Sequence, residues 1–422
     1  MLETLKLQDV GPAPRLHLDL APRLNFLTGD NGLGKTFLLD IAWWALTRTW
    51  ARMPAVPHHG KEVTPSISYR YTASTGRPYT FTSQFNRPEQ IWPGRRGRPS
   101  IPGMVIYAQV DGGFSAWDPA RNYWKKTTPE APERPAAFLF TPDEVWDGLP
   151  RDAAKKLCNG LILDWATWQR ENGAAFDQLC RMLQQLSPSE DEPLIPAALT
   201  RVSLDDVRDH PTLRMPYQQD VALVHASAGM RRIVALTYLL VWTWQEHLRA
   251  CAILGLQPAR EIIFLIDEIE AHLHPRWQRR IVSALLTVME ALTGEHQVGV
   301  QLITATHAPL IMASVEPYFD EKQDAIWELD LVEQHVELRR APWRRYGDVN
   351  SWLSSPIFDL SEPRSLEAER ALHKALALLR QDPPPSLDAV ESVDNELRGV
   401  LGDVDRFWIR WSAFVEQRRG RA

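Results

Sequence analysis

The chain has 422 residues, 44% of them hydrophobic and 24% charged, and carries a formal net charge of −6. That length supports one large core or two to three domains, and the acid excess excludes a uniformly basic nucleic-acid coat while leaving room for a local basic groove. Three scattered cysteines with no CxxC pair exclude a disulfide framework or structural zinc; with no ~20-residue apolar run and no signal-peptide pattern, a cytoplasmic protein without a membrane partner is expected.

Residues 1–30 alternate apolar and polar side chains around Gly11-Pro12-Ala13-Pro14, which predicts a hairpin followed by a short buried strand at 24–28. A helix at 35–50 is apolar almost all round, and so buried. Residues 51–103 are rich in Pro, Gly and aromatics, with strand-like pieces at 66–73 and 79–85 and an exposed basic loop, Arg95-Arg96-Gly97-Arg98, beside Trp92. A buried strand is expected at 104–109, helical periodicity at 152–186 and a Pro- and acid-rich linker at 187–196. A long helix follows within 221–249, then an apolar strand at 261–266, an amphipathic helix at 275–292 and a strand at 298–304. A further element opens at 308–314, and beyond 342 the composition turns helical with Pro-rich joints. Alternating strands and helices indicate an α/β core with a mainly parallel sheet. The expected division is a first lobe at 1–150, a helical lid at 151–220, the rest of the core at 221–341 and a helical C-terminal region at 342–422. Tryptophan-bearing runs such as Val241-Trp242-Thr243-Trp244 read as core.

Gly29-Asp30-Asn31-Gly32-Leu33-Gly34-Lys35-Thr36 fits the P-loop pattern GxxxxGK[ST] after a strand and before a helix. Gly29, Gly32 and Gly34 let the backbone wrap, so that its N–H groups, with Asn31 among them, face phosphate. Lys35 supplies a point charge to ATP, and the Thr36 hydroxyl holds Mg²⁺. The apolar run 262–266 ends in Asp267-Glu268. Asp267 suits ordering of Mg²⁺, and Glu268 suits polarising the attacking water in ATP hydrolysis.

His225-Ala226-Ser227-Ala228-Gly229-Met230 resembles the signature motif of ABC ATPases, a Ser-x-Gly at a helix start. The resemblance implies that Ser227 and Gly229 bind the γ-phosphate held by the other subunit. Gln109 is placed like the Q-loop glutamine, implying contact with nucleotide and Mg²⁺, and His307 like the switch histidine, implying a catalytic role. Asp267-Glu268-Ile269-Glu270-Ala271-His272-Leu273-His274-Pro275 looks like the hallmark of RecF/OLD-like ABC ATPases. The implied fold is an ABC head with a P-loop, a mixed or parallel sheet and flanking helices, plus a helical lid. Glu270, His272 and His274 also lie close enough in sequence to raise a metal site, against the plainer reading that His274-Pro275 opens a helix.

No sustained heptads separate Gln109 from Ser227, unlike the SMC type, and the tail beyond His307 shows no completed acidic site of the OLD nuclease kind. The chain therefore resembles the ATPase components of anti-phage systems, the Septu type with its HNH nuclease among them. This implies a homodimer or higher even-numbered oligomer, a separate effector nuclease and DNA as partners. A RecF-like DNA-repair clamp and a low-turnover nucleotide-bound scaffold are the alternatives. Finally, Val390, Val393, Leu397, Val400, Val404, Phe407, Trp411 and Phe414 follow steps of three and four, one seam of a helix that either packs on the helix at 365–379 or docks a partner through its aromatic end.

Overall fold

The computed structural model describes residues 1–60, 63–72, 76–94, 103–122, 134–152, 154–293 and 299–420. Two compact units are present, Met1–Trp352 and Leu353–Ala422.

In the first unit, β1 (Leu2–Val10) and β2 (Ala13–Asp19) form the expected hairpin, turned by Gly11 at φ 82°. After β3 (Leu24–Gly29) and α1 (Lys35–Thr47), the strands β4 (Ser66–Thr72) and β5 (Pro78–Gln84) join that hairpin in an antiparallel sheet of order β2-β1-β4-β5. The all-round apolarity of α1 has its reason here. It packs with both this sheet and the main one, burying Leu38, Leu39, Ile41, Trp43 and Trp44 in a shared core. The helix stops at Thr47 and not at 50, because Arg48 takes a left-handed conformation (φ 58°) and its N–H closes on the Trp44 carbonyl.

The main sheet uses β6 (Met104–Ala108), β7 (Phe114–Trp117), β8 (Phe138–Phe140), β12 (Glu261–Ile266), β13 (Gly299–Ala305), β14 (Asp324–Val332) and β15 (His335–Ala341) together with β3. Before β12 come α2 (Pro142–Asp147), α3 (Leu161–Glu171), α4 (Ala174–Gln185), three short strands β9 (Ile195–Thr200), β10 (His210–Arg214) and β11 (Asp220–Ala222), and the long α5 (Ala228–Leu254). The order is β15-β14-β3-β13-β12-β6-β7-β8, parallel from β14 to β6 and antiparallel at both edges. The central strands are buried on both faces, which is why they read as continuous apolar runs.

Several expectations are corrected. The 151–220 lid is not wholly helical, since β9, β10 and β11 pair as a small antiparallel sheet. Pro196, at the end of the stretch that read as linker, sits on the outer strand β9, where a missing N–H costs little, while Glu190, Asp191 and Glu192 precede that strand. Among the described residues of 152–160 there is no helix: the backbones of Gly148 and Gly160 approach so closely that a Cβ on Gly160 would lie 2.3 Å from the Gly148 nitrogen. The amphipathic 275–292 stretch is three short helices, α6 (Pro275–Gln278), α7 (Ile281–Leu286) and α8 (Val288–Thr293). After β13 comes α9 (Pro309–Val315).

The stretch following β15 belongs with the first unit. The Glu316 carboxylate accepts the Tyr346 and Gly347 N–H groups at 2.7 and 2.9 Å and the Trp352 indole N–H at 2.7 Å. A short helix, α10 (Val349–Leu353), lies at the unit boundary. The second unit holds α11 (Leu366–Arg380), α12 (Leu387–Val400) and α13 (Phe407–Arg419). The expected single seam is broken between α12 and α13, where Val404 is 96% exposed. Gly399 and Gly402 flank the break, and glycine weakens a helix by roughly 1 kcal/mol relative to Ala.

Candidate nucleotide site

Four neighbouring parallel strands, β3, β13, β12 and β6, end on one edge of the sheet. They deliver there, respectively, the loop 29–36, His307, Asp267 with Glu268, and Gln109. Ligands bind at such carboxyl-terminal edges because the loops there are free of the ladder.

The loop needs its glycines. Gly29, Gly32 and Gly34 have φ of 120°, 83° and 102°, and a Cβ on Gly29 would lie 2.0 Å from the Leu329 carbonyl oxygen of β14. Asn31 and Gly32 are exposed, and the first turn of α1 has no side-chain cap. Its leading N–H groups are thus uncapped by side chains and suited to an anion. Lys35 is buried, and its ammonium donates to the Gly29 and Asp30 carbonyls at 2.7 Å each. Burial lowers its pKa, opposed by Asp267 and Asp30.

Across the edge, Thr36 Oγ1 donates to Asp267 Oδ2 at 2.8 Å. Asp267 is buried, which raises its pKa against the pull of that hydrogen bond. A hydroxyl and a carboxylate converging in this way are the hard oxygen donors Mg²⁺ takes, so the residues present fit that ion. Glu268 is in a left-handed conformation, φ 49°, half-buried, and its carboxylate makes no hydrogen bond among the described residues. A non-glycine residue held there is strained, and such strain concentrates at functional sites.

Glu270 clamps the turn to the next strand end. Its carboxylate accepts the Thr306 hydroxyl at 2.8 Å and the His307 backbone N–H at 2.5 Å. Burial, then the Lys35 charge, lowers the His307 pKa, so the imidazole is neutral at pH 7. His274 Nδ1 accepts the Arg276 N–H at 3.3 Å and starts α6 with Pro275 in its first turn. No three-residue metal group occurs among the described residues, so Glu270, His272 and His274 do not form one.

Gln109 is buried, and its amide donates to Ser115 Oγ at 3.1 Å across the β6–β7 turn. Ser227 is exposed at the N-cap of α5, its Oγ accepting the Met230 N–H at 3.3 Å. The next turn of α5 is tied to the loop that follows β12. A Cβ on Gly229 would lie 2.4 Å from the His272 carbonyl oxygen. Arg232, which sequence reasoning missed, donates to the Val110, Asp267 and Glu268 carbonyls at 3.2, 2.9 and 3.1 Å. Nothing in the sequence separates it from its exposed neighbour Arg231. The Arg95-Arg96-Gly97-Arg98 loop lies outside the described residues, while Trp92 is buried and donates its indole N–H to the Ala55 carbonyl at 2.8 Å.

The family described as "AAA domain, putative AbiEii toxin, Type IV TA system" matches residues 24–313, a span holding every candidate residue above. The chain belongs to this AAA-domain family. Among curated relatives, this AAA-domain chain is 30% identical over 135 residues to the Septu protein PtuA of Bacillus mycoides (strain KBAB4), covering 32% of the chain and 17% of PtuA. It is 28% identical over 100 residues to the retron Ec83 probable ATPase of Escherichia coli, 24% of the chain and 15% of that protein. The retron Vc95 probable ATPase of Vibrio cholerae is 40% identical over 68 residues, 16% of the chain and 11% of that protein. The matches thus span less than a fifth of each relative's length. Among solved structures, the chain is similar to the SMC head domain from Thermotoga maritima, with a TM-score of 0.39 at 14% identity, covering 81% of the chain and 99% of that domain. An ATP-bound RecF recombination mediator gives 0.40 at 11%, covering 81% and 97%. No described helix is long and apolar enough to cross a membrane.

Proposed function

We propose that this chain binds and hydrolyses ATP with Mg²⁺, as an ABC-type head that closes as a homodimer or higher even-numbered oligomer and thereby regulates a separate effector nuclease in anti-phage defence. The observation carrying the chemistry is the Thr36 hydroxyl at 2.8 Å from Asp267, with Glu268 next in the chain and His307 on the adjoining strand end. Bound Mg²⁺ would neutralise charge on the phosphate oxygens. Thr36 and Asp267 would hold it, Gln109 joining them after giving up Ser115. Lys35 would exchange the Gly29 and Asp30 carbonyls for phosphate oxygens. Glu268, uncommitted and half-buried, would orient the attacking water, and neutral His307 would donate to, or accept from, the group next to it.

Ser227 supports the dimer reading: it is exposed at the start of α5, within the signature-like motif, so its nucleotide would come from a second copy. On this reading residues 1–150 and 221–341 build the head and 151–220 the lid, while the C-terminal region expected from 342 becomes a separate helical unit only after Trp352. The names of the Septu and retron relatives support the defence role, with an HNH-type nuclease as the expected effector and DNA as the ligand to be tested. ATPase assays with and without DNA, on the chain purified with its co-purifying partner, test both parts. Absence of turnover in every arm would remove the enzymatic reading.

A further inference from the structure

Beneath Asp267 lies a charged network that the nucleotide chemistry leaves unexplained. Arg52 clamps the Asp40 carboxylate with two hydrogen bonds, Nε to Oδ1 at 3.2 Å and Nη2 to Oδ2 at 2.9 Å. The buried Tyr107 hydroxyl donates to Asp40 Oδ1 at 3.1 Å and accepts from Arg52 Nη2 at 3.2 Å. Three groups, from α1, β6 and the loop after α1, therefore close a ring on themselves.

The fold sets this ring against the Thr36–Asp267 pair. Tyr107 pairs with Leu265 in the β6–β12 ladder, and the ladder continues through Asp267 N–H to the Ala108 carbonyl at 2.9 Å. Side chains two apart share a face, so Asp267 follows Leu265 and Tyr107 onto the side of the sheet that packs on α1. On α1, Asp40 lies four residues past Thr36, one turn or ~6 Å deeper along the same face. Two carboxylates and one guanidinium thus stand, partly buried, beside the oxygens suited to Mg²⁺.

We propose that Arg52, Asp40 and Tyr107 are positioning residues that set the charge beneath the divalent-cation site, Asp40 strengthening and Arg52 weakening cation binding at Thr36 and Asp267. Arg52 pairs with Asp40 and not with Asp267, so removing either partner changes the charge beside Asp267 by one unit in opposite directions. The inference rests on the reading of Thr36 and Asp267 as the Mg²⁺ residues.

The test uses Mn²⁺ as the probe, its binding followed by electron paramagnetic resonance with the full chain in excess over ADP. Arg52→Met should tighten Mn²⁺ binding by about three-fold or more, and Asp40→Asn should weaken it by about as much. The double variant and Arg52→Lys should return to within about two-fold of wild type, because each restores the charge balance. A purely structural role would loosen the site in both single variants, so shifts of the same sign overturn the proposal, as do unshifted affinities. Should Arg52→Met fail to fold, Asp40→Asn against Tyr107→Phe decides. The first should weaken binding and the second, which keeps every charge, should leave it within about two-fold, and equal effects overturn the proposal. Wild-type chain that binds ADP but no Mn²⁺ would overturn the assignment of Thr36 and Asp267 instead.

Discussion

Lys35, Glu268 and His307 meet at the sheet edge in three different states of commitment. Lys35 is held by the Gly29 and Asp30 carbonyls, so phosphate has to outcompete them. Lys35→Ala should weaken nucleotide binding, read by equilibrium titration with a fluorescent ATP analogue. Glu268 has no such ties, and Glu268→Gln should keep nucleotide affinity while slowing hydrolysis by ~10² or more, the range for losing an acid–base group. A normal rate in that variant would pass the role to His307. Because the folded pKa of His307 lies below its ordinary 6.5, the unfolded chain takes up the proton first as pH falls. The unfolded state then binds more protons, so stability is lost from about pH 6.5 downward until the folded value is passed. Melting temperatures measured from pH 8 to pH 5 should fall less steeply in His307→Gln than in wild type.

At the scale of elements, α5 and the turn after β12 behave as one piece. Gly229 touches the His272 carbonyl where no Cβ fits, and Arg232 ties the same helix to three carbonyls. Gly229→Ala forces backbone against backbone, so ATPase activity should drop while circular dichroism stays that of the folded chain. The C-terminal helices show another kind of dependence. Trp411 is fully buried in a cluster with Ala371, Leu372, Val390 and Leu397, and its indole N–H donates to Asp394 at 2.9 Å. That is the packing of a core, in line with the reading that α12 rests on α11. Trp411→Ala should cost about 3–5 kcal/mol in the unit Leu353–Ala422, measured by denaturant unfolding. Truncation after Asp403 should likewise unfold that unit; retained stability with loss of a partner would favour docking by the aromatic end.

At the scale of the whole molecule, the ABC-type reading requires a second copy, since in that reading the exposed Ser227 binds a nucleotide held by another chain. Light scattering of Glu268→Gln with ATP should report a dimer or larger even assembly, and Ser227→Arg should prevent it by bulk and charge. A monomer in the first experiment would sink the ABC reading.

Much of the site was legible in the sequence because its determinants are local. A glycine loop between a strand and a helix, acids at the end of an apolar strand and a serine before a helix each depend on a few consecutive residues. The strands flanking them were legible too, since burial on both faces leaves an unbroken apolar run. What only the tertiary structure decided was everything set by pairing across distance. The strand order brings the ends of β3, β13, β12 and β6 side by side. The weakly apolar 195–222 stretch becomes a sheet only because β9 and β11 find β10. Arg232 and Arg52 look like any other arginine until folding places carbonyls or a carboxylate around them. Hydrogen bonds to groups dozens of residues away leave no period in the chain, whereas the hydrophobic effect acting on one face of an element does.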